Sequence, residues 1–402
     1  HGDLGADFQV GMSARATPLL VGLAILAIGA TPVASAQRIV PSTRPELGMG
    51  VDTLPSPAWG ARWKEPVPEI YRRWAEFLAS SAPRYTPPGG TASPYWSAAE
   101  QRIWTTFSLA LNFVGSYATP MVVDIRPATP GNVGEYVIKT MFMSPEPRAL
   151  TQPQALVRVY ALRENGQWVF ANALPRDTRN WQRTTVGPFD YIYDHDYHFD
   201  QRRALRAAAF ADSLATAFAV PKLSHVAYYL TESPDEMNRI IGLDWYPSST
   251  DGGGFSSGPN RLLVSGNPNI GEEYRHEIVH VVLGPIGLGG VHSLLWEGVA
   301  TWLGGTLGLS AAESKREYAT YLRSHSDITL DSILNQSYDM GFRPAGATLC
   351  QMAFEHGGVA AVKALLRSGR TDADLKTGLE RVLGRNWPAI KADWRRKALS
   401  SS

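Results

Sequence analysis

Cysteine is almost absent: the 402 residues include one, Cys350. An intrachain disulfide is excluded, and so is a zinc or iron–sulfur site built on several cysteines. An excess of one charge is missing too. Lys and Arg total 38 against 37 Asp and Glu, a formal charge of +1. At the level of net charge there is no case for a nucleic-acid or acidic-polymer partner. What remains is an ordinary globular composition, 44% hydrophobic and 19% charged, with 37 Gly and 28 Pro. That excludes a collagen-like, coiled-coil or wholly disordered chain. The length suggests two to three domains.

The apolar run Pro18 to Ala30 is too short to span a bilayer comfortably, and Pro32 interrupts its end. It reads instead as the core of an export signal over residues 12–36. Met12 opens it, Arg15 supplies the basic region, and Ala34-Ser35-Ala36 gives the small-x-small cleavage pattern. Cleavage would start the mature chain at Gln37, in the periplasm or outside the cell, with no stable membrane span. No cysteine sits at the cleavage site, so a lipoprotein is not expected. Residues 37–62 carry Pro41, Pro45, Pro55 and Pro57 and read as an extended tether.

Two folded regions are expected. In residues 63–195, Ile70, Trp74, Phe77 and Leu78 recur at helical spacing over 67–80, and a second helix begins after Ser93-Pro94. The period then changes to two, with strands near 122–125, 136–143 and 156–162. Asn165-Gly166 suits a type I′ hairpin turn, with a returning strand over 167–174. Residues 181–193 read as one more strand. Two helices followed by an antiparallel meander make an α+β layout, somewhat like the cone-shaped domains of the nuclear-transport-factor-2 type. Asp194-His195-Asp196 with His198 reads as a solvated linker. In residues 197–402, a helix over 201–218 and strands at 226–230 and 261–265 precede a chain that is mostly helical from Glu272 onward. Cys350, beside Leu349, Met352 and Phe354, reads as a buried structural thiol.

The chemistry concentrates between residues 272 and 304. His276-Glu277-Ile278-Val279-His280 is an H-E-x-x-H motif. Residues four apart share one helix face, so both imidazoles reach one ion. Glu277 then lies beside the ion, placed to take a proton rather than to ligate. The surrounding residues Ile278, Val279, Val281, Val282 and Leu283 are apolar. Charged groups on such a helix are costly to bury without a partner. Gly284-Pro285 is expected to end the helix.

Two histidines leave a catalytic zinc one protein ligand short. His292 is available in the following loop. Glu297 is the stronger candidate, because a carboxylate among Trp296, Val299, Trp302 and Leu303 demands a partner. Gly298 beside it allows close approach of the two helices, its own and that of the motif.

H-E-x-x-H followed by Glu297-Gly298-Val299-Ala300 on a second helix resembles the gluzincin zinc metallopeptidases, which include thermolysin-like enzymes and aminopeptidases with an N-E-G-x-A helix. The likeness is specific over 276–304 and extends in layout over about 200–400. It implies a zincin-like domain holding one zinc per chain on His276, His280 and Glu297. It implies hydrolysis of a peptide or protein substrate by a metal-activated water, with Glu277 as general base. A downstream tyrosine or histidine serves as oxyanion donor in such enzymes; Tyr338 and His292 are the candidates here. Two positions depart from the pattern. Trp296 stands where the aminopeptidases have Asn, and Thr301 where thermolysin-like enzymes have an Asp supporting a ligand. An exported binding or scaffold protein on the same fold, without peptidase activity, is the alternative.

Overall fold

The computed structural model describes residues 64–80, 93–103, 110–114, 118–143, 153–247, 253–257, 261–287, 290–306, 308–335 and 341–400. All belong to one compact unit, Ser42–Ser402. The expected signal and tether lie outside the described residues.

Helix α1 (Val67–Ala79) buries Ile70, Trp74 and Phe77, the stripe its spacing gives. Helix α2 (Ala98–Ile103) follows. Four antiparallel strands succeed them: β1 (Thr119–Pro127), β2 (Glu135–Met143), β3 (Pro153–Glu164) and β4 (Gln167–Ala171). The β3–β4 turn has Asn165 at φ 50° and Gly166 at φ 79°, the two positive values a type I′ turn requires. Trp74 caps the inner face of this sheet, and its indole N–H donates to the buried Thr140 hydroxyl at 2.9 Å.

After the short helix α3 (Ala173–Asp177) come β5 (Gln182–Val186) and β6 (Phe189–Tyr193), a hairpin rather than the single strand expected at 181–193. Helix α4 (Gln201–Ala217) is capped by Asp200, whose carboxylate accepts from the Arg202 and Arg203 amides. Then follow β7 (Val226–Leu230), helix α5 (Pro234–Ile240), β8 (Leu243–Trp245), β9 (Gly254–Ser257) and β10 (Leu262–Ser265). The strands form two sheets. Sheet A is β1-β2-β3-β4, with β8 also paired to β3; sheet B is β5-β6-β7-β10-β9. In sheet B, β6, β7 and β10 run parallel, and the hairpins at either end are antiparallel.

Strand pairing therefore crosses the boundary expected at 195–197. The β5–β6 hairpin precedes it and joins sheet B; β8 follows it and joins sheet A. Burial gives the reason. Ile192, Tyr229, Leu262 and Val264 pack into the core shared with sheet A, while Tyr191, Tyr228 and Leu263 face the helical core. Sheet B is covered on both faces, as the parallel pairing of its middle strands requires.

The remainder is helical, as expected: α6 (Arg275–Gly287), α7 (Ser293–Gly304), α8 (Ala311–Ser324), α9 (Leu330–Asn335), α10 (Phe342–Leu366), α11 (Asp372–Leu383) and α12 (Trp387–Leu399). Together with the sheets they make an α+β protein. Gly357 (φ −152°) and Gly358 (φ 63°) break α10 into two helical stretches. Cys350 is fully buried. Among the described residues no helix is long and apolar enough to cross a membrane.

Candidate metal centre

Helix α6 is apolar on every side. Ile278, Val279, Val282 and Leu283 are fully buried, so the helix sits inside the core rather than on it. It runs through Pro285 to Gly287 instead of stopping at Gly284-Pro285. Proline blocks the turn before it, not the residues after it. Against this background His276, Glu277 and His280 are buried polar groups, 3%, 8% and 7% exposed.

Helix α7 presents Glu297 to them. The His276 Nε2–Glu297 Oε2 distance is 3.4 Å, and His280 Nε2–Glu297 Oε1 is 3.5 Å. One ligating atom from each of the three lies within 4.8 Å of the others. Gly304 allows this approach, since a Cβ there would lie 2.6 Å from the His276 amide nitrogen. Gly298 has a different neighbour from the one expected: a Cβ on it would overlap the backbone of Gly346 on α10. The pair Gly298 and Gly346 seats α7 on α10, and Gly304 seats α7 on α6.

The Gly305 carbonyl accepts a hydrogen bond from His276 Nδ1 at 2.8 Å. In neutral His276 that bond fixes the tautomer and leaves the Nε2 lone pair facing a carboxylate oxygen. Two acceptors then point at each other across 3.4 Å. His276 Nε2 is buried without a hydrogen-bond partner. Either a proton on Nε2 or a metal cation between the two resolves this arrangement. The titration tendencies agree. Burial opposes charge on His276, yet Glu297 and Glu277 raise its pKa. Burial likewise opposes charge on Glu297, yet His276 and His280 hold its carboxyl far below the usual range. Two imidazole nitrogens and one carboxylate oxygen suit zinc, so the residues present fit that ion.

Three neighbours were not legible in the sequence. Arg343 on α10 donates from Nε to Glu297 Oε2 at 2.8 Å. Ser256 on β9 donates its hydroxyl to Glu277 Oε2 at 2.6 Å. Gly305 supplies the carbonyl that orients His276, a support that the departure at Thr301 left unassigned. Thr301 is buried with its hydroxyl unpartnered. Trp296 packs against His280, ring centroids 4.9 Å apart.

His292 is engaged elsewhere. It is the N-cap of α7, its Nδ1 accepting from the Leu294 amide at 3.2 Å and its Nε2 meeting Asp372 Oδ1 at 2.9 Å. Both ring nitrogens are taken, which leaves no ring donor for an oxyanion. Tyr338 lies outside the described residues.

No family model matches the sequence, and no curated protein matches it. In structure the chain is similar to M1 zinc metallopeptidases. One is a mutant of the M1 zinc metallopeptidase from Deinococcus radiodurans bound to a Tyr-Ser-Ala substrate, at 13% identity and a TM-score of 0.34, covering 71% of this chain and 64% of that one. Another is aminopeptidase A of Legionella pneumophila in complex with aspartic acid, at 11% identity and a TM-score of 0.32, covering 69% of this chain and 34% of that one. The chain thus spans less than two thirds of the length of either.

Proposed function

We propose that the protein is an exported zinc-dependent peptidase. The observation that carries the reading is the convergence of His276, His280 and Glu297 with the unpartnered Nε2 of His276 aimed at the carboxylate. Those three residues would hold the ion, and Glu277 stands beside it. When bound, zinc supplies a Lewis acid that lowers the pKa of a water and polarises a carbonyl.

Glu277 takes a proton from the attacking water, whose oxygen bonds to the scissile carbonyl carbon. The C–N bond then breaks, and Glu277 passes the proton to the amine nitrogen. The Ser256 hydroxyl holds Glu277 Oε2 and leaves Oε1 for the proton. Strand β9 stands at one end of the strand order of sheet B. An extended peptide can pair with such an edge and lie beside Glu277. Tyr338 remains the candidate oxyanion donor.

A second reading is a metal-holding binding protein without hydrolysis. Arg343 favours it, because its guanidinium occupies one of the two Glu297 oxygens. Digestion of a peptide library by the zinc-loaded protein separates the two. Cleavage that Glu277→Gln lowers by about 100-fold or more, with zinc content unchanged, supports the peptidase. Cleavage surviving that substitution sinks the assignment of Glu277. No cleavage by the zinc-loaded parent favours the binding protein.

A further inference from the structure

Two arginines bond to carboxylates in this molecule, and they differ in what they leave free. Arg158, on β3, is bonded at each nitrogen: Nε to Asp244 at 2.7 Å, Nη1 to Asp177 at 2.6 Å and Nη2 to the Arg239 carbonyl at 2.7 Å. Its side chain is 10% exposed, and it ties β3 to α3, α5 and β8. It is saturated, so it is frame. Arg343, the second residue of α10, makes one close bond, from Nε to Glu297 Oε2 at 2.8 Å. Its Nη1 makes only a long contact of 3.5 Å with Thr306 Oγ1. Its Nη2 has no partner among the described residues, and the side chain is 43% exposed. An open guanidinium edge therefore stands beside a candidate metal ligand.

The charges around that edge favour an anion. Burial pushes the Tyr274 phenol up, and the charged side chains that act on it are Glu277, Arg343 and Glu297. Arg343 is the one cation of the three. A divalent ion on His276, His280 and Glu297 would be matched by the two carboxylates, which leaves Arg343 uncompensated. The backbone adds to its field. The first turn of α10 carries no acidic side chain, and Gly341 at its N-cap has no side chain to accept from the amides. The positive end of that helix thus points the same way as the guanidinium.

We propose that Arg343 is a specificity-determining residue that receives a carboxylate of the substrate close to the scissile bond. A guanidinium holds a carboxylate through a planar fork, and the free Nη2 edge offers that geometry. The edge is one guanidinium's width from Glu297, so the carboxylate belongs to a residue next to the cut or one further on. An acidic side chain and a free carboxy terminus present the same chemistry. The proposal rests on the peptidase reading and narrows its substrate to peptides carrying such a group.

The test is binding to the full chain carrying Glu277→Gln and loaded with zinc, which holds peptides without cutting them. The parent chain's cleavage of the same peptides reads the peptidase assignment separately, and zinc content is measured alongside. Four labelled peptides form two pairs: end-blocked Ala-Ala-Asp-Ala with its Asn counterpart, and Ala-Ala-Ala with a free carboxy terminus or an amide. In at least one pair the carboxylate member is expected to bind about tenfold more tightly, the worth of one charge-assisted hydrogen bond. Preference in the first pair assigns an acidic side chain; preference in the second assigns the carboxy terminus. Arg343→Gln at saturating zinc should remove the ratio, and Arg343→Lys, which keeps the charge without the fork, should keep part of it. Equal binding within both pairs, or no binding of any of the four, overturns the proposal. So does a ratio that survives Arg343→Gln, even if both members weaken, because the arginine then serves only to hold Glu297.

Discussion

Two buried charge clusters in this molecule are built on opposite plans. Around Arg158, each guanidinium nitrogen meets an acceptor, and each carboxylate meets a cation. Around Glu297, two imidazoles and a carboxylate converge, yet His276 Nε2 has no hydrogen bond. The first is closed and joins four elements. The second turns three ligand atoms toward one point and leaves one of them unsatisfied by the protein. Both are costly to bury, and the way each is satisfied separates framework from site.

The largest expected effect breaks the closed cluster. Arg158→Leu leaves Asp177 and Asp244 facing one another's vacated cation in a half-buried wall. Unfolding in urea should show a loss of about 3–5 kcal/mol, as when one partner of a buried pair is removed. A loss below ~1 kcal/mol would mean that the two clusters do not differ in this way.

The open cluster is sharpened by Glu297→Ala. Zinc affinity should fall more than about 100-fold, beyond the usual effect of losing an outer partner. Metal content after dialysis checks it. Unchanged zinc retention would place the ion on other residues.

Next comes the seam that positions the carboxylate. Gly298→Ala pushes a methyl group into the Gly346 backbone. We expect about 1–3 kcal/mol of destabilisation from such overpacking, measured by thermal or denaturant unfolding. Zinc affinity should fall with it, since α7 must shift as a body.

The smallest effect concerns Glu272, which is intermediate between the plans. Burial raises its pKa, against the Asp200 amide that bonds Oε1 at 2.8 Å. A carboxyl with a raised folded-state pKa binds more protons folded than unfolded. Its contribution is full below the ordinary glutamate range and is lost as pH rises through the folded value. Glu272→Gln should flatten that decline in a series of melts from pH 4 to 7, by no more than about 1 kcal/mol.

Much of this was legible in the sequence for a physical reason. Residues four apart on a helix share a face, so His276 and His280 announce each other. Glu297 was legible as a carboxylate without an excuse on an apolar helix. Asn165-Gly166 named its own turn. What stayed hidden is long-range. Arg343 and Ser256 reach their carboxylates from 46 and 21 residues away and carry no periodic signal. The Gly305 carbonyl is backbone, which no residue letter advertises. Gly298 read as a close-approach position, but the helix it meets is α10 rather than α6. Sheet membership stayed hidden too, because strand order is set by pairing across the chain, and the 181–193 stretch has the same alternation whichever sheet receives it.

That pairing has a consequence for anyone who would divide the chain. A fragment beginning at residue 197 keeps β7 but lacks β6, its parallel neighbour. The row of amides and carbonyls that β6 covers would then lie bare along a strand that itself carries Tyr228 and Tyr229. Such a row is a template for another copy of itself. The isolated half that carries His276, His280 and Glu297 is thus expected to aggregate, whereas a fragment starting before Gln182 retains its own hairpin as a cover.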